Sequence, residues 1–232
     1  MKTSLSLLGC CCFLWIVLID GCLKEDVRPN KPIPRPHLPP PVLKNSYTEE
    51  FSQNTNVMEI KGWVFKNHSS DPYIEGWHKD YTPDSKTPNV SILSPAYSDH
   101  NDPHEFAFAG AGYSQATDMW MLTPPVELKN GDKISFYTRT HPQSSDSTNL
   151  LEVRLNPSDT SSDVGSYANE VGRFTLLLGK VFEVYPKTWT KKEFILSGLN
   201  GTIRSRIALR YYIPQGQYGS AIGIDVLKFE KM

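Results

Sequence analysis

Beyond residue 22 the chain contains no cysteine, because Cys10, Cys11, Cys12 and Cys22 account for all four. The folded part is therefore held by packing, not by disulfides or thiolate-bound metal. Net charge is also lacking. Lys plus Arg total 24 against 25 Asp plus Glu, evenly mixed, which leaves no basic stripe and no electrostatic support for a nucleic-acid partner. No apolar run reaches membrane-spanning length: Leu5 to Ile19 falls short of the roughly 18 residues such a helix needs. No segment keeps a 3.6-residue apolar period over helix length. The folded part has no Gly-x-Ser-x-Gly, no His-Glu-x-x-His and no cysteine nucleophile. Carboxylates are plentiful, however, and a glycosidase needs only two across a cleft, so a glycan-active enzyme stays open.

With 232 residues, 39% of them hydrophobic and 21% charged, the chain carries one domain's worth of globular sequence behind a distinct N-terminus. Lys2 followed by the apolar run to Ile19 has the layout of a signal peptide over residues 1–21. Ile19-Asp20-Gly21-Cys22 resembles the lipobox of bacterial lipoproteins, which makes Cys22 the expected lipidation site, although Asp20 departs from that pattern. Lys24-Glu25-Asp26 looks like the export signal that sends Bacteroidetes lipoproteins to the cell surface. The resemblance implies an outer-membrane, lipid-anchored protein. Arg28 to Val42 then carries seven prolines, at 29, 32, 34, 36, 39, 40 and 41. That density favours extended polyproline II and makes residues 22–46 a stalk.

The stretch Asp118 to Thr140, DMWMLTPPVELKNGDKISFYTRT, organises the remainder, residues 47–232. Trp120 and Leu122 alternate with Met119 and Met121 until Pro124-Pro125 interrupt the ladder. Val126 and Leu128 alternate next. Asn130-Gly131 reads as a tight hairpin turn, and Ile134, Phe136 and Thr138 resume the alternation against Ser135, Tyr137 and Arg139. Further strand-like segments fall at Tyr47–Phe51, Ile60–Phe65, Tyr73–Trp77, His104–Ala109, Leu150–Leu155, Phe174–Val184, Trp189–Leu196, Ile203–Ile213 and Ala221–Phe229. Many short strands without a crossover helix predict an all-β antiparallel sandwich.

The order of Gly62-Trp63, Trp77, WMLTPPVEL, ISFYTRT, LLEVRL, Trp189-Thr190, RIALRYY and IGIDVLKF resembles the choice-of-anchor J, or cleaved-adhesin-like, domains of Bacteroidetes surface proteins. The resemblance spans about Tyr47 to Phe229. It implies a jelly-roll β-sandwich, related to MAM-type and galactose-binding-like modules, used for adhesion or carbohydrate binding. Related jelly rolls also hold a structural calcium ion (Ca2+) between their first and last strands. By that resemblance Glu50 and Asp225 are expected ligands, with Asp118 a third; the alternative is that Asp225 caps a strand end or pairs with an arginine such as Arg210.

A transition-metal site at His100 and His104 is disfavoured, since Pro103 forbids the helix that would put both on one face. Trp63, Trp77, Trp120 and Trp189 could stack on sugars, but Trp120 and Trp189 sit in alternating runs that read as core. Trp77 and the loop residues Tyr81, Tyr97 and Tyr113 are the expected ligand-binding aromatics, and the loops Asp80–Asp102 and Asn156–Asn169 the expected binding loops. No catalytic residue is singled out. The expected protein is a monomeric binding module for a glycan or surface protein, with a jelly-roll glycoside hydrolase as the alternative.

Overall fold

Alternation becomes strand because the pleat sends successive side chains to opposite faces, and β-branched and aromatic residues suit that surface. The computed structural model describes residues 43, 45–80, 93–98, 104–111, 115–141, 149–182 and 185–232. Their elements run β1 Tyr47–Glu49, α1 Thr55–Ile60, β2 Val64–Asn67, β3 His78–Lys79, β4 Ala107–Ala109, β5 Thr117–Leu122 and β6 Val126–Leu128. Then come β7 Lys133–Thr140, β8 Leu151–Leu155, β9 Leu176–Val181, β10 Thr190–Ile195, β11 Ile203–Ser205, β12 Ile207–Ile213 and β13 Ile222–Glu230.

The strands form an antiparallel sandwich. One sheet runs β10-β7-β13-β4-β3 with β1 also on β13, the other runs β2-β5-β12-β8-β9, and β11 pairs with β6 apart from both. Between the sheets, Met119, Met121, Leu209, Tyr211, Leu151 and Val153 from one side meet Ile134, Phe136, Ile222 and Ile224 from the other in a buried core. Leu43 already belongs to this body: its N–H donates to the Pro125 carbonyl at 2.7 Å and its own carbonyl accepts from Glu127 at 3.0 Å.

The expected alternation holds at β5. Met119 and Met121 enter the main core, while Trp120 and Leu122 join a second cluster with Ala208, Val164 and Phe174 on the sheet's outer face. The excursion between β8 and β9 supplies that cover. Arg206 fixes its base, donating to the carbonyls of Thr160 at 2.9 Å and of Gly62 and Thr123 at 2.7 Å each.

Three local expectations are corrected. Asn130-Gly131 is a turn, with Gly131 at φ +92°, but not a hairpin: β6 pairs with β11, whereas β7 lies between β10 and β13. Asn130 is not among the residues with positive φ, so the turn lacks the primed geometry that would keep both strands in one sheet. Residues 55–60 form a short helix that no periodicity announces, since Met58 is its only buried side chain. Tyr73–Trp77 is not a strand. Asp71 caps a turn there through Tyr73 N–H, and pairing begins only at His78.

Candidate functional site

On the outer face of the six-stranded sheet, Tyr137 and Arg139 alternate along β7 beside Asp225 and Gly223 of β13, their pairing partners. Over that face runs the segment 93–98, held from below by Asp225. This carboxylate is fully buried and accepts from Tyr97 N–H and Ser98 N–H at 2.9 Å each, from Ser98 Oγ at 3.0 Å and from Val226 N–H at 2.7 Å. Burial pushes the Asp225 carboxyl above its ordinary range, and the bonds from Ser98, Val226 and Tyr97 only partly offset that. Val226 takes φ +46° at a bulge, a conformation rare for a β-branched residue.

The loop so held presents Tyr97, 44% exposed, stacked on Tyr137 with ring centroids 3.5 Å apart and 15° between planes. Its hydroxyl titrates higher than usual because it hydrogen-bonds Tyr137. Trp189 continues the strip. Its indole donates to the Pro95 carbonyl at 2.8 Å, its ring meets Phe106 edge-on, and the Arg139 guanidinium lies 5.7 Å from its centroid. Arg139 Nε has no hydrogen-bond partner among the described residues. The arrangement can offer aromatic faces beside a charged donor, the two features that hold a hydroxylated ring in place.

The five-stranded sheet buries a charge cluster on its outer face. Arg210 donates through Nε and Nη2 to the two oxygens of Asp118 at 2.7 and 2.9 Å, and Nη1 lies 3.3 Å from Glu152 Oε2. Its guanidinium sits 4.8 Å from the Trp120 ring centroid and 4.2 Å from that of Tyr212. Glu152 also pairs with Arg154 at 2.6 Å and Lys180 at 3.2 Å. Burial pushes the Glu152 carboxyl up, but Arg154, then Lys180 and Arg210, pull it below its ordinary value. A second buried pair, His104 Nδ1 with Asp80 Oδ2 at 2.7 Å, lies by β4.

Sequence-predicted residues distribute unevenly over this geometry. Tyr97 is brought into an aromatic surface, stacked on Tyr137. Trp77 is not: it is 3% exposed and its indole donates to the Met119 carbonyl at 3.2 Å, so burial removes it as a ligand contact. Trp189, read as core, is instead only partly buried, because it precedes an edge strand rather than alternating within one. The calcium set does not assemble. Glu50 follows β1, which pairs with Leu227, Lys228 and Phe229 of β13, the strand that also carries Asp225, but Asp118 lies in the other sheet with both oxygens taken by Arg210. Hydrogen-bond donors occupy Asp225, no cluster of three potential metal ligands occurs among the described residues, and calcium needs about six to eight oxygens, so the residues do not fit the ion. Cys22, Lys24, Glu25, Asp26, Tyr81 and Tyr113 lie outside the described residues.

Tyr137 and Arg139 are not singled out by the sequence, and Trp189 is singled out only as core. The available sign was a tyrosine and an arginine on the polar side of the ISFYTRT alternation, where small or neutral polar residues would serve a plain solvent face equally well.

Fold and site together define an antiparallel jelly-roll sandwich whose outer faces carry ordered loops. No protein-family model matches the chain, and no curated protein sequence does. Among solved structures it is similar to the K1 cleaved adhesin domain of Lys-gingipain from Porphyromonas gingivalis W83, with a TM-score of 0.53 and 18% identity over 81% of this chain and 99% of that one. The K3 cleaved adhesin domain of the same protein gives a TM-score of 0.52 and 13% identity over 80% and 98% of the two chains. These likenesses are of fold.

Proposed function

We propose that this chain is a lipid-anchored, surface-displayed module that binds a glycan without catalysis. The observation that carries the reading is the stacked Tyr97–Tyr137 pair, exposed on one side and fixed on the other by a buried carboxylate. A rigid aromatic platform loses little entropy when a sugar ring settles on it, and the nearby Arg139 adds a directional donor. The occurrence of this fold in cleaved adhesin domains supports a role in adhesion. The buried carboxylates described above are each committed to structural partners, which favours binding over glycoside hydrolysis.

The full-length protein should be retained on mucin-type glycans or polysaccharides, and Tyr97→Ala should weaken retention about tenfold, the loss of one stacking contact. Unchanged retention in Tyr97→Ala would remove the platform from the reading. Steady release of reducing ends, abolished by one carboxylate substitution, would replace it with an enzyme. The anchor is proposed from the sequence at Cys22: Cys22→Ala should move the protein from the membrane fraction to the soluble one, and a membrane-bound variant would refute lipidation there.

A further inference from the structure

We propose that the cavity between the outer edge of β2 and the turn at Ser161–Gly165 binds a carboxylated monosaccharide residue, a uronic or nonulosonic acid. It lies on the opposite sheet from the tyrosine strip and does not depend on it. The cavity has a volume of about 300 Å³, at the low end for small-molecule pockets and suited to one ring. Lys66 and His68 form one wall, Ser161, Ser162 and Asp163 the other.

Alternation along β2 explains the first wall. Val64 packs into the outer cluster under Val164, so Lys66 and His68, two and four residues on, project from the same face beyond the cover. The His68 N–H donates to the Asp118 carbonyl at 2.8 Å, extending the strand pairing and fixing the residue. Lys66 has no ion-pair partner among the described residues, and His68 Nδ1 is buried with no hydrogen-bond partner there. A buried polar nitrogen left unpaired is costly, and a ligand oxygen would remove that cost.

The second wall is preformed. Asp159 Oδ1 accepts from Ser161 N–H at 2.9 Å, Ser161 Oγ from Asp163 N–H at 3.2 Å, and Asp163 Oδ1 from Gly165 N–H at 2.9 Å. The Asp163 carbonyl takes Arg173 N–H at 2.9 Å. These bonds hold the turn before any ligand arrives, so little ordering is left to binding. They use one Asp163 oxygen and leave the other available to accept from a hydroxyl.

The two walls differ in charge, and that selects the ligand. A carboxylate suits the Lys66 ammonium and an Nδ1 proton of His68, while ring hydroxyls suit Asp163 and Ser162. A bare phosphate would meet the Asp163 carboxylate, and a neutral sugar would leave the Lys66 side unmatched. Titrating the full-length protein with glucuronic acid, N-acetylneuraminic acid, galactose and inorganic phosphate, while following the 161–165 amide and His68 ring resonances, separates these cases. Either acidic sugar should shift those resonances, with galactose and phosphate at least about tenfold weaker. Lys66→Met, which keeps the apolar stem and removes the charge, should weaken the acidic sugar about tenfold, and Tyr97→Ala should leave it unchanged. Equal binding of galactose or phosphate, no effect of Lys66→Met, absence of any shift, or loss in Tyr97→Ala alone would each overturn the assignment.

Discussion

Arg210→Ala is expected to destabilise the domain by about 3–5 kcal/mol, the usual consequence of removing one partner from a buried ion pair. At roughly 2–4 °C per kcal/mol for a domain of this size, the melting temperature should fall by roughly 6–20 °C. The reason lies in what remains. Asp118 is completely buried, and both its oxygens face the lost guanidinium at 2.7 and 2.9 Å. Trp120 and Tyr212 also lose the flat cation between them. Arg210→Lys keeps the charge but neither the fork nor the stack, so it should recover less than half of the loss. Asp118→Asn combined with Arg210→Gln should cost less than Arg210→Ala alone, because no bare buried carboxylate is left. A thermal melt of Arg210→Ala within about 2 °C of the parent would refute this account.

The same cluster sets a response to acid. Glu152 is held below its ordinary value of 4.5 in the folded chain, so the unfolded chain binds its proton first as pH falls. Its stabilising contribution is therefore complete above pH 4.5 and is lost progressively below that value. Asp225 has the opposite sign. Its folded-state carboxyl is raised, so protonation favours the folded chain as pH falls towards 3.8. The two act against each other, and acid melts of Glu152→Gln should be flatter than those of the parent.

Asp225→Ala is expected to cost about 2–4 kcal/mol and to release the segment that carries Tyr97. Two effects compete. Deleting the carboxylate relieves the burial that raises its pKa, but it also strips the acceptor from the N–H groups of Tyr97, Ser98 and Val226. Several unsatisfied donors outweigh one relieved desolvation, since each buried orphan costs about 1–3 kcal/mol. Val226 sharpens the effect, because Asp225 restrains its N–H at φ +46°. Hydrogen exchange at the Tyr97 and Ser98 amides should accelerate well beyond the global change, and retention on glycans should fall with it. If those amides stay protected in Asp225→Ala, the loop is anchored by something else.

Strand alternation and the turn at a single glycine are legible locally, whereas the short helix at 55–60 and the turn at 71–77 are not. The period-two alternation of β5 and of β7 assigns each side chain to a face without reference to the rest of the chain, which is why Met119 and Met121 lie in one cluster and Trp120 in another. Gly131 likewise marks a turn on its own account, because its positive φ is a property of that one residue. The all-β sandwich follows from many such segments with no helix to cross between them.

Only the tertiary structure decided which strands meet and what lies over their outer faces. Alternation states that β6 and β7 are strands but not that each leaves for a different sheet. It cannot order Trp77 and Trp189 by burial, because that depends on Met119 offering a carbonyl to one and on the other preceding an edge strand. The working contacts span long separations: Asp118 to Arg210 crosses 92 positions and Ser98 to Asp225 crosses 127. At such distances the pairing is chosen by packing of the whole sandwich, and no local period, turn or composition records it.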